Sequence, residues 1–344
     1  MTDSWTRTMI SIVAIIAVLV ALNFATSLIA PVVGAIFIIA LVWPLQSRLK
    51  AYLPNLLALA IVISVTVVVF CIFASLVSWG FGRIARALLA ESARFQSLYD
   101  QAAAWIEGYG IAVDGMWAEH FNSAWLLRAT QAIAARINTA TTFWLVVVVY
   151  VILGLLEVDD FKRKLIELKD REAARVMLSA STTIASKFRR YMLIRTVMSL
   201  STGFMVWALA SASGLQLAKE WGVIAFTLNY IPFIGPFVAT VFPTLYALAQ
   251  FDTWQSALLV FACLNIIQFV IGSYIEPRVA GSALAISPFL VLFSVFFWTF
   301  LWGLFGAFIG VPIAIAIVTF CAEHPSSKWL AILMGPAEKR SSGT

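Results

Sequence analysis

The chain is a succession of long apolar stretches interrupted by two polar ones. Apolar runs cover roughly residues 9–29, 31–45, 56–79, 139–157, 191–213, 221–251, 254–275 and 287–321, with Pro31 between the first two and Pro54 before the third. A helix rising 1.5 Å per residue needs about 20 apolar residues to cross a hydrocarbon core of about 30 Å. Six runs fit that length, 31–45 being the short one. The other two are too long: 221–251 would make a helix of about 46 Å and 287–321 one of about 52 Å, an excess that tilt does not absorb. Both contain helix breakers, Pro232, Gly235, Pro236 and Pro243 in one, Gly303, Gly306, Gly310 and Pro312 in the other. The pattern predicts two broken segments in the C-terminal half, either kinked crossings or re-entrant hairpins.

The polar stretches differ in kind. Residues 80–138 carry five basic and five acidic side chains. Their apolar positions Phe81, Ile84, Leu88, Phe95, Leu98, Ala102 and Trp105 recur by threes, fours and sevens, the mark of one helix face. Gly108 and Gly110 end that pattern, and Trp117, Phe121 and Trp125 begin another. Helices of this kind lie against the membrane interface or on a neighbouring subunit. Residues 159–190 instead hold nine basic side chains against five acidic ones. The positive-inside rule puts them in the cytoplasm together with Arg7, Arg48 and Lys50, and 80–138 on the far side. The expected division is therefore three N-terminal membrane helices (1–79), an amphipathic extracytoplasmic insert (80–138), a fourth membrane helix (139–158), a basic cytoplasmic helical segment (159–190), a C-terminal transport core (191–321) and a cytoplasmic tail (322–344), with both termini cytoplasmic.

Composition supports lipid as the main solvent. Of 344 residues 62% are hydrophobic and 12% charged, with mean hydropathy +0.95, where soluble chains average about a quarter charged. Continuous apolar runs exclude a membrane β-barrel, which leaves an all-α integral membrane protein of about eight membrane segments. The net charge of +6 is mostly an orientation signal, so its partner is anionic headgroups rather than nucleic acid. Cys71, Cys263 and Cys321 stand singly in apolar runs, and His120 and His324 are isolated. No metal site, phosphate loop or nucleophile motif can be built from them, so enzyme chemistry is not expected. A coupling proton or sodium ion is the one small cofactor the chemistry leaves open.

Three motifs carry the candidate chemistry. In "LNYIPFIGP", Leu228–Pro236, Pro232 and Pro236 withhold N–H groups from the carbonyls of Leu228 and Pro232, and Gly235 lets the chain unwind. The expected result is two freed carbonyls and a helix start near Pro236, with Asn229 one turn before the break. Unwound backbone at membrane depth is tolerated where it is buried in protein or lines a wet cavity, as in the discontinuous helices of transporters. The second motif is a polar stripe, Asn265, Gln268, Gly272 and Glu276, spaced to share one helix face. Glu276 and Arg278 flank Pro277, and Glu276 is read either as an ion-coupling carboxylate or as half of a structural salt bridge. Ser287 and Pro288 then look like an N-cap followed by proline at the first helical position. The third motif, Gly303, Gly306 and Gly310 before Pro312, is a smooth face suited to close packing or to sliding, with Trp298 and Trp302 as interface anchors or cavity lining.

"LNYIPFIGP", "YIEPRVAGSALAISP" and "FWTFLWGLFGAFIGVP" together resemble, in order and spacing across residues 190–320, the autoinducer-2 exporter family of bacterial membrane proteins. "RYMLIRTVMSLSTG" resembles the stretch before the signature in one branch of that family. The resemblance implies about eight membrane segments, homo-oligomers in the bacterial cytoplasmic membrane, and export of small molecules, autoinducer-2 among them. Exchange of sodium or lithium for protons is implied as the alternative. It places Asn229, Pro232, Gly235, Glu276, Pro277, Arg278, Gly281, Pro288, Gly303, Gly306 and Pro312 on the family pattern, while Pro236 stands where serine is common. The expected solute or ion site is the break at Pro232–Pro236 with Asn229, Asn265, Gln268 and Glu276, joined by Arg278. A small polar solute or a monovalent cation suits it. A reading from another class is a membrane scaffold whose insert binds a partner.

Overall fold

The structure, a computed structural model, describes residues 4–109, 123–251, 253–280 and 286–335. Among them there is no strand, and seven helices are long and apolar enough to cross a membrane. The order is α1 Ser4–Phe24, α2 Thr26–Leu49, α3 Asn55–Ala90, α4 Ser92–Glu107, α5 Ser123–Ile166, α6 Arg171–Ala212, α7 Ala218–Leu228, α8 Ile234–Gln250, α9 Trp254–Gln268, a π-helical segment Phe269–Ile275, α10 Glu276–Ala280, α11 Pro288–Glu323 and α12 Lys328–Met334. The chain is an all-α integral membrane protein.

Several helices run through boundaries at which the hydropathy changes. α3 passes 79/80 and ends at Ala90; α5 passes 138/139 and 158/159; α6 passes 190/191. A hydropathy change records where apolar solvent ends, whereas a helix stops only where its backbone bonds stop. The break between the first two helices falls at Ala25, and Pro31 lies inside α2. One proline removes one bond from the ladder, and the buried residues Ala30, Gly34 and Ala35 hold that turn in place. α4 ends at Gly108, as its glycine predicts; Gly110, Trp117 and Phe121 lie outside the described residues.

The chain forms two compact units. The first comprises Met1–Val67, Phe143–Leu193 and Ala280–Thr344. Its core is built from α2, α11 and parts of α5 and α6, around Phe37, Phe188, Val295, Trp302 and Ile309. A second cluster joins Ala35, Val62, Val147 and Leu155. Rings interlock at these contacts, Phe37 with Phe188 at 5.0 Å and Phe143 with Phe305 at 4.8 Å between centroids. The polar ends are pinned by Lys50 Nζ to Asp159 at 2.6 Å and by Ser179 Oγ to Glu323 at 2.8 Å.

α11 is two helices. Trp302 (φ −126°, ψ 16°) and Gly303 (φ 60°, ψ −140°) break it, and the arms fold back on each other. A Cβ on Gly306 would overlap the carbonyl of Trp298, and one on Gly310 would sit 2.8 Å from the carbonyl oxygen of Ser294. The glycines at 306 and 310 thus pack arm against arm within one hairpin. Ser287 caps the first arm by accepting from Leu290 N–H at 3.2 Å, with Pro288 next to it.

The second unit comprises Val68–Thr142 and Ile194–Val279. Here α7 and α8 form another antiparallel hairpin. Its open end is tied by Gln216 and Gln250, with Gln250 Nε2 donating to the carbonyl of Gly214 at 2.8 Å and Tyr246 Oη to Gln216 Oε1 at 3.2 Å. α9 packs along α8. Both overlong runs therefore fold back on themselves as helical hairpins.

Candidate functional site

The C-terminal half of α6 carries Arg195, Ser199 and Thr202, spaced four and three, on one face, and all three are buried. Thr202 is satisfied within the helix by the carbonyl of Met198 at 2.9 Å. Ser199 and Arg195 reach other elements, and so does Thr196 beside them. Asn229 Nδ2 donates to Ser199 Oγ at 3.2 Å, and Tyr230 Oη donates to Thr196 Oγ1 at 3.0 Å. The tip of the α7–α8 hairpin is therefore held on α6 by two side-chain hydrogen bonds. One turn away, Arg195 Nη1 lies 2.9 and 3.0 Å from the two oxygens of Glu276. Arg195 keeps 9% of its side-chain surface and Glu276 19%, so the pair is largely withdrawn from solvent.

The hairpin tip satisfies its own backbone. The carbonyl of Leu228, deprived by Pro232, accepts from Ile231 N–H at 2.8 Å. The carbonyl of Pro232 accepts from Ile234 N–H at 2.7 Å, and that of Ile231 from Gly235 N–H at 3.0 Å. The two carbonyls expected to be free are thus both taken. Phe233, with φ 64° and ψ −49°, is the central residue of a γ-turn. α8 starts at Ile234, which puts Pro236 in its first turn, where the missing N–H costs nothing. Gly235 is required for a different reason than unwinding: a Cβ there would overlap the carbonyl of Leu228. α7 leans on its neighbours equally closely. A Cβ on Gly222 would lie 2.9 Å from the carbonyl oxygen of Gly203 in α6, and one on Gly203 2.8 Å from that of Gly222. Phe73 and Tyr230 meet edge to face at 5.6 Å, and Arg83 Nε reaches the buried Glu220 at 2.6 Å.

The polar stripe does not lie on one face. A π-helical segment follows Gln268 and adds residues to the turn, so the side chains after it are rotated relative to an α-helix. Asn265 is exposed and donates to its own helix at Phe261 O, 2.8 Å away; Gly272 is exposed too. Gln268 is half-buried, with its amide Nε2 buried and without a hydrogen-bond partner. Arg278 does not pair with Glu276. It lies over the ring of Tyr274, 3.3 Å from guanidinium carbon to centroid. Gly281 lies outside the described residues, and Pro288, Gly303, Gly306, Gly310 and Pro312 belong to the other unit. Of the predicted side chains, Asn229 and Glu276 come to one face of α6; Asn265 and Arg278 do not.

Arg195, Thr196, Ser199 and Tyr230 were missed by motif reading. Arg195 had a signal of its own, as a guanidinium inside an apolar run, spaced with Ser199 and Thr202 on one face. Among the described residues no group of three or more His, Cys, Asp or Glu side chains could hold a metal ion.

Apolar helices of spanning length, chain reversals inside overlong apolar runs and a buried ion pair beside one reversal are the parts of a membrane transporter. The chain belongs to the AI-2E family of transporters, whose profile matches residues 10–325. It is 26% identical over 329 residues to the AI-2 transport protein TqsA of Escherichia coli K12, covering 94% of each chain. It is 34% identical over 151 residues to the putative transport protein YhhT of the same organism, covering 44% of this chain and 43% of that one. A putative transport protein of Haemophilus influenzae is 24% identical over 351 residues, 96% of this chain and 97% of the relative.

Proposed function

We propose that this transporter exports small polar solutes, autoinducer-2-like signalling molecules first among them, across the bacterial cytoplasmic membrane by secondary coupling or passively. The observation that carries the site is the hairpin tip at Asn229–Phe233, whose amide and phenol are hydrogen-bonded to Ser199 and Thr196 on a buried face of α6. A solute rich in hydroxyls can exchange with these bonds one for one, which avoids the cost of stranding a buried polar group. With the backbone of the tip already satisfied, the side chains rather than freed carbonyls supply the contacts. The relative's name supports the substrate class. Both termini in the cytoplasm, and a homo-oligomer in which the largely exposed apolar face of α1 meets lipid or a second copy, complete the reading.

Flux of autoinducer-2 into or out of vesicles loaded with the purified chain tests it. Asn229→Ala and Ser199→Ala should each lower transport about tenfold while the protein stays folded; unchanged flux in both removes the site.

Glu276 supports a second reading, sodium or lithium exchange for protons, as a carboxylate within an apolar segment. Its engagement with Arg195 requires that ion arrival and Arg195 release be coupled. Ion exchange that survives Glu276→Gln eliminates this version.

A further inference from the structure

The chain after α11 offers a different surface, in the first unit and apart from the residues just described. α11 ends at Glu323, and a tight turn, Pro325–Ser327, redirects the chain into α12. The turn is fixed locally. Ser326 N–H donates to His324 Nδ1 at 3.3 Å, and Ser327 Oγ donates to the carbonyl of Cys321 at 3.2 Å. α12 then packs on α11 and ends where the hairpin begins, with Ser287 N–H donating to the carbonyl of Met334 at 3.0 Å. It therefore bridges the open end of the α11 hairpin, from the end of the second arm to the start of the first. Lys328 is its only polar side chain. Leu330, Ala331 and Met334 form a half-buried face. Trp329, Ile332 and Leu333, three and four positions apart, form an exposed one, with Ile332 and Leu333 keeping 74% and 71% of their surface. The helix thus turns three large apolar side chains outward, a patch that marks a contact with membrane or protein.

Position argues for what meets that face. Both ends of α12 lie at the rim of the apolar run 287–321. Its last carbonyl is bonded to Ser287, next to Pro288 and the exposed Phe289. Its first residue follows the turn after Glu323, whose carboxylate accepts from Ser179 at 2.8 Å in the basic segment. The exposed apolar surface continues from the start of the first arm through Phe289 and Phe293, stacked at 6.5 Å. Residues 336–344 contain no large apolar side chain to cover the face. We infer that α12 is an interfacial helix whose Trp329, Ile332 and Leu333 insert into the leaflet at the open end of the α11 hairpin, so that its partner is the lipid surface. Tryptophan and lysine are the residue types that settle at that depth, the ring at the boundary and the ammonium reaching out to the headgroups. A helix lying in this plane buries its apolar face about 5–10 Å into the boundary between headgroups and acyl chains. Through Ser287 the inserted helix holds the open end of the hairpin level with the membrane surface. Part of the expected cytoplasmic tail thus belongs to that surface.

Spin labels on single cysteines test the assignment in the full chain, carrying Cys71→Ser, Cys263→Ser and Cys321→Ser and reconstituted in vesicles of phosphatidylcholine and phosphatidylglycerol. Labels at Ile332→Cys and Leu333→Cys should be accessible to oxygen over a water-soluble nickel chelate by a ratio about fivefold above that at Lys169→Cys, because apolar oxygen concentrates in hydrocarbon and the chelate in water. Lys169 is the control because it is exposed between α5 and α6. A ratio equal to the control puts the face in water and overturns the proposal. Shielding from both probes puts it against protein and overturns it as well. p-Benzoylphenylalanine in place of Leu333, in the chain with its cysteines intact, gives a second reading that does not depend on the serine substitutions. Irradiation in the same vesicles should yield mainly phospholipid adducts, read by mass spectrometry. Crosslinked dimers assign the face to a second copy, and the absence of any adduct leaves it in water; either result overturns the lipid surface.

Discussion

The two hairpins reverse the chain by different means. At the α7–α8 tip the turn closes on its own backbone, with Leu228, Ile231 and Pro232 carbonyls all paired locally and a phenylalanine, not a glycine, at positive φ. At the α11 reversal the positive φ belongs to Gly303, and help comes from outside: Asn23 Nδ2 and Thr26 Oγ1 donate to the carbonyl of Leu301 at 3.2 and 3.5 Å, and Trp302 Nε1 donates to Leu22 O at 3.4 Å. The first hairpin is a self-contained turn, attached to α6 at its tip through Asn229 and Tyr230. The second is tied at its tip to the α1–α2 junction. Two side-chain hydrogen bonds are each worth about 1 kcal/mol net, so releasing the α7–α8 tip from Ser199 and Thr196 costs about 2 kcal/mol.

The largest test of this contrast is electrostatic. Removing one member of the buried pair beside the α7–α8 tip, Arg195→Met, should cost about 3–5 kcal/mol, while Arg195→Met with Glu276→Met should return to within about 1 kcal/mol of the parent. Chemical denaturation in detergent reads both, and an additive double variant would mean the pair is not a unit. Close packing comes next. Gly306→Ala and Gly235→Ala each force a Cβ into backbone, and each should cost about 3 kcal/mol, the upper range for overpacking, by the same assay. Turn strain separates the hairpins directly. Gly303→Ala should cost about 1–3 kcal/mol because ψ −140° at positive φ is nearly closed to other residues. Phe233→Gly should leave stability unchanged or raise it by up to about 1 kcal/mol, since it relieves φ 64° at a half-exposed ring. A large loss in Phe233→Gly would show the ring, not the backbone, holding that turn. Smaller still, Asn229→Ala should lower the melting temperature by an amount equivalent to about 1 kcal/mol. Asn265→Leu, on an exposed face, should change stability by less than about 0.5 kcal/mol and leave flux intact.

The existence of both breaks was legible because run length and breaker content conflict with a single straight crossing. Their inner workings were not. Pro232 and Pro236 announce missing N–H groups, but whether the carbonyls they abandon stay free depends on how the chain turns, and here Ile231 and Ile234 take them. The stripe at Asn265–Glu276 assumed an α-helical period, and a π-helical segment changed it after Gln268. Arg278 was adjacent to Glu276 in sequence, yet the carboxylate pairs with Arg195, 81 positions away. Spacing along one helix says which side chains share a face; it does not say which distant helix that face will meet.

By itself the sequence determined that this chain lives in lipid as a bundle of helices, because apolar runs of spanning length leave the backbone no other way to satisfy its hydrogen bonds. It also determined where two runs must break, since proline and glycine act locally. The tertiary structure alone decided that both breaks become hairpins, that Gly203 and Gly222 bring α6 and α7 into backbone contact, and that Asn229 and Glu276 meet Ser199 and Arg195. Those outcomes rest on contacts between residues far apart in the chain, and only packing selects among the partners that local chemistry permits.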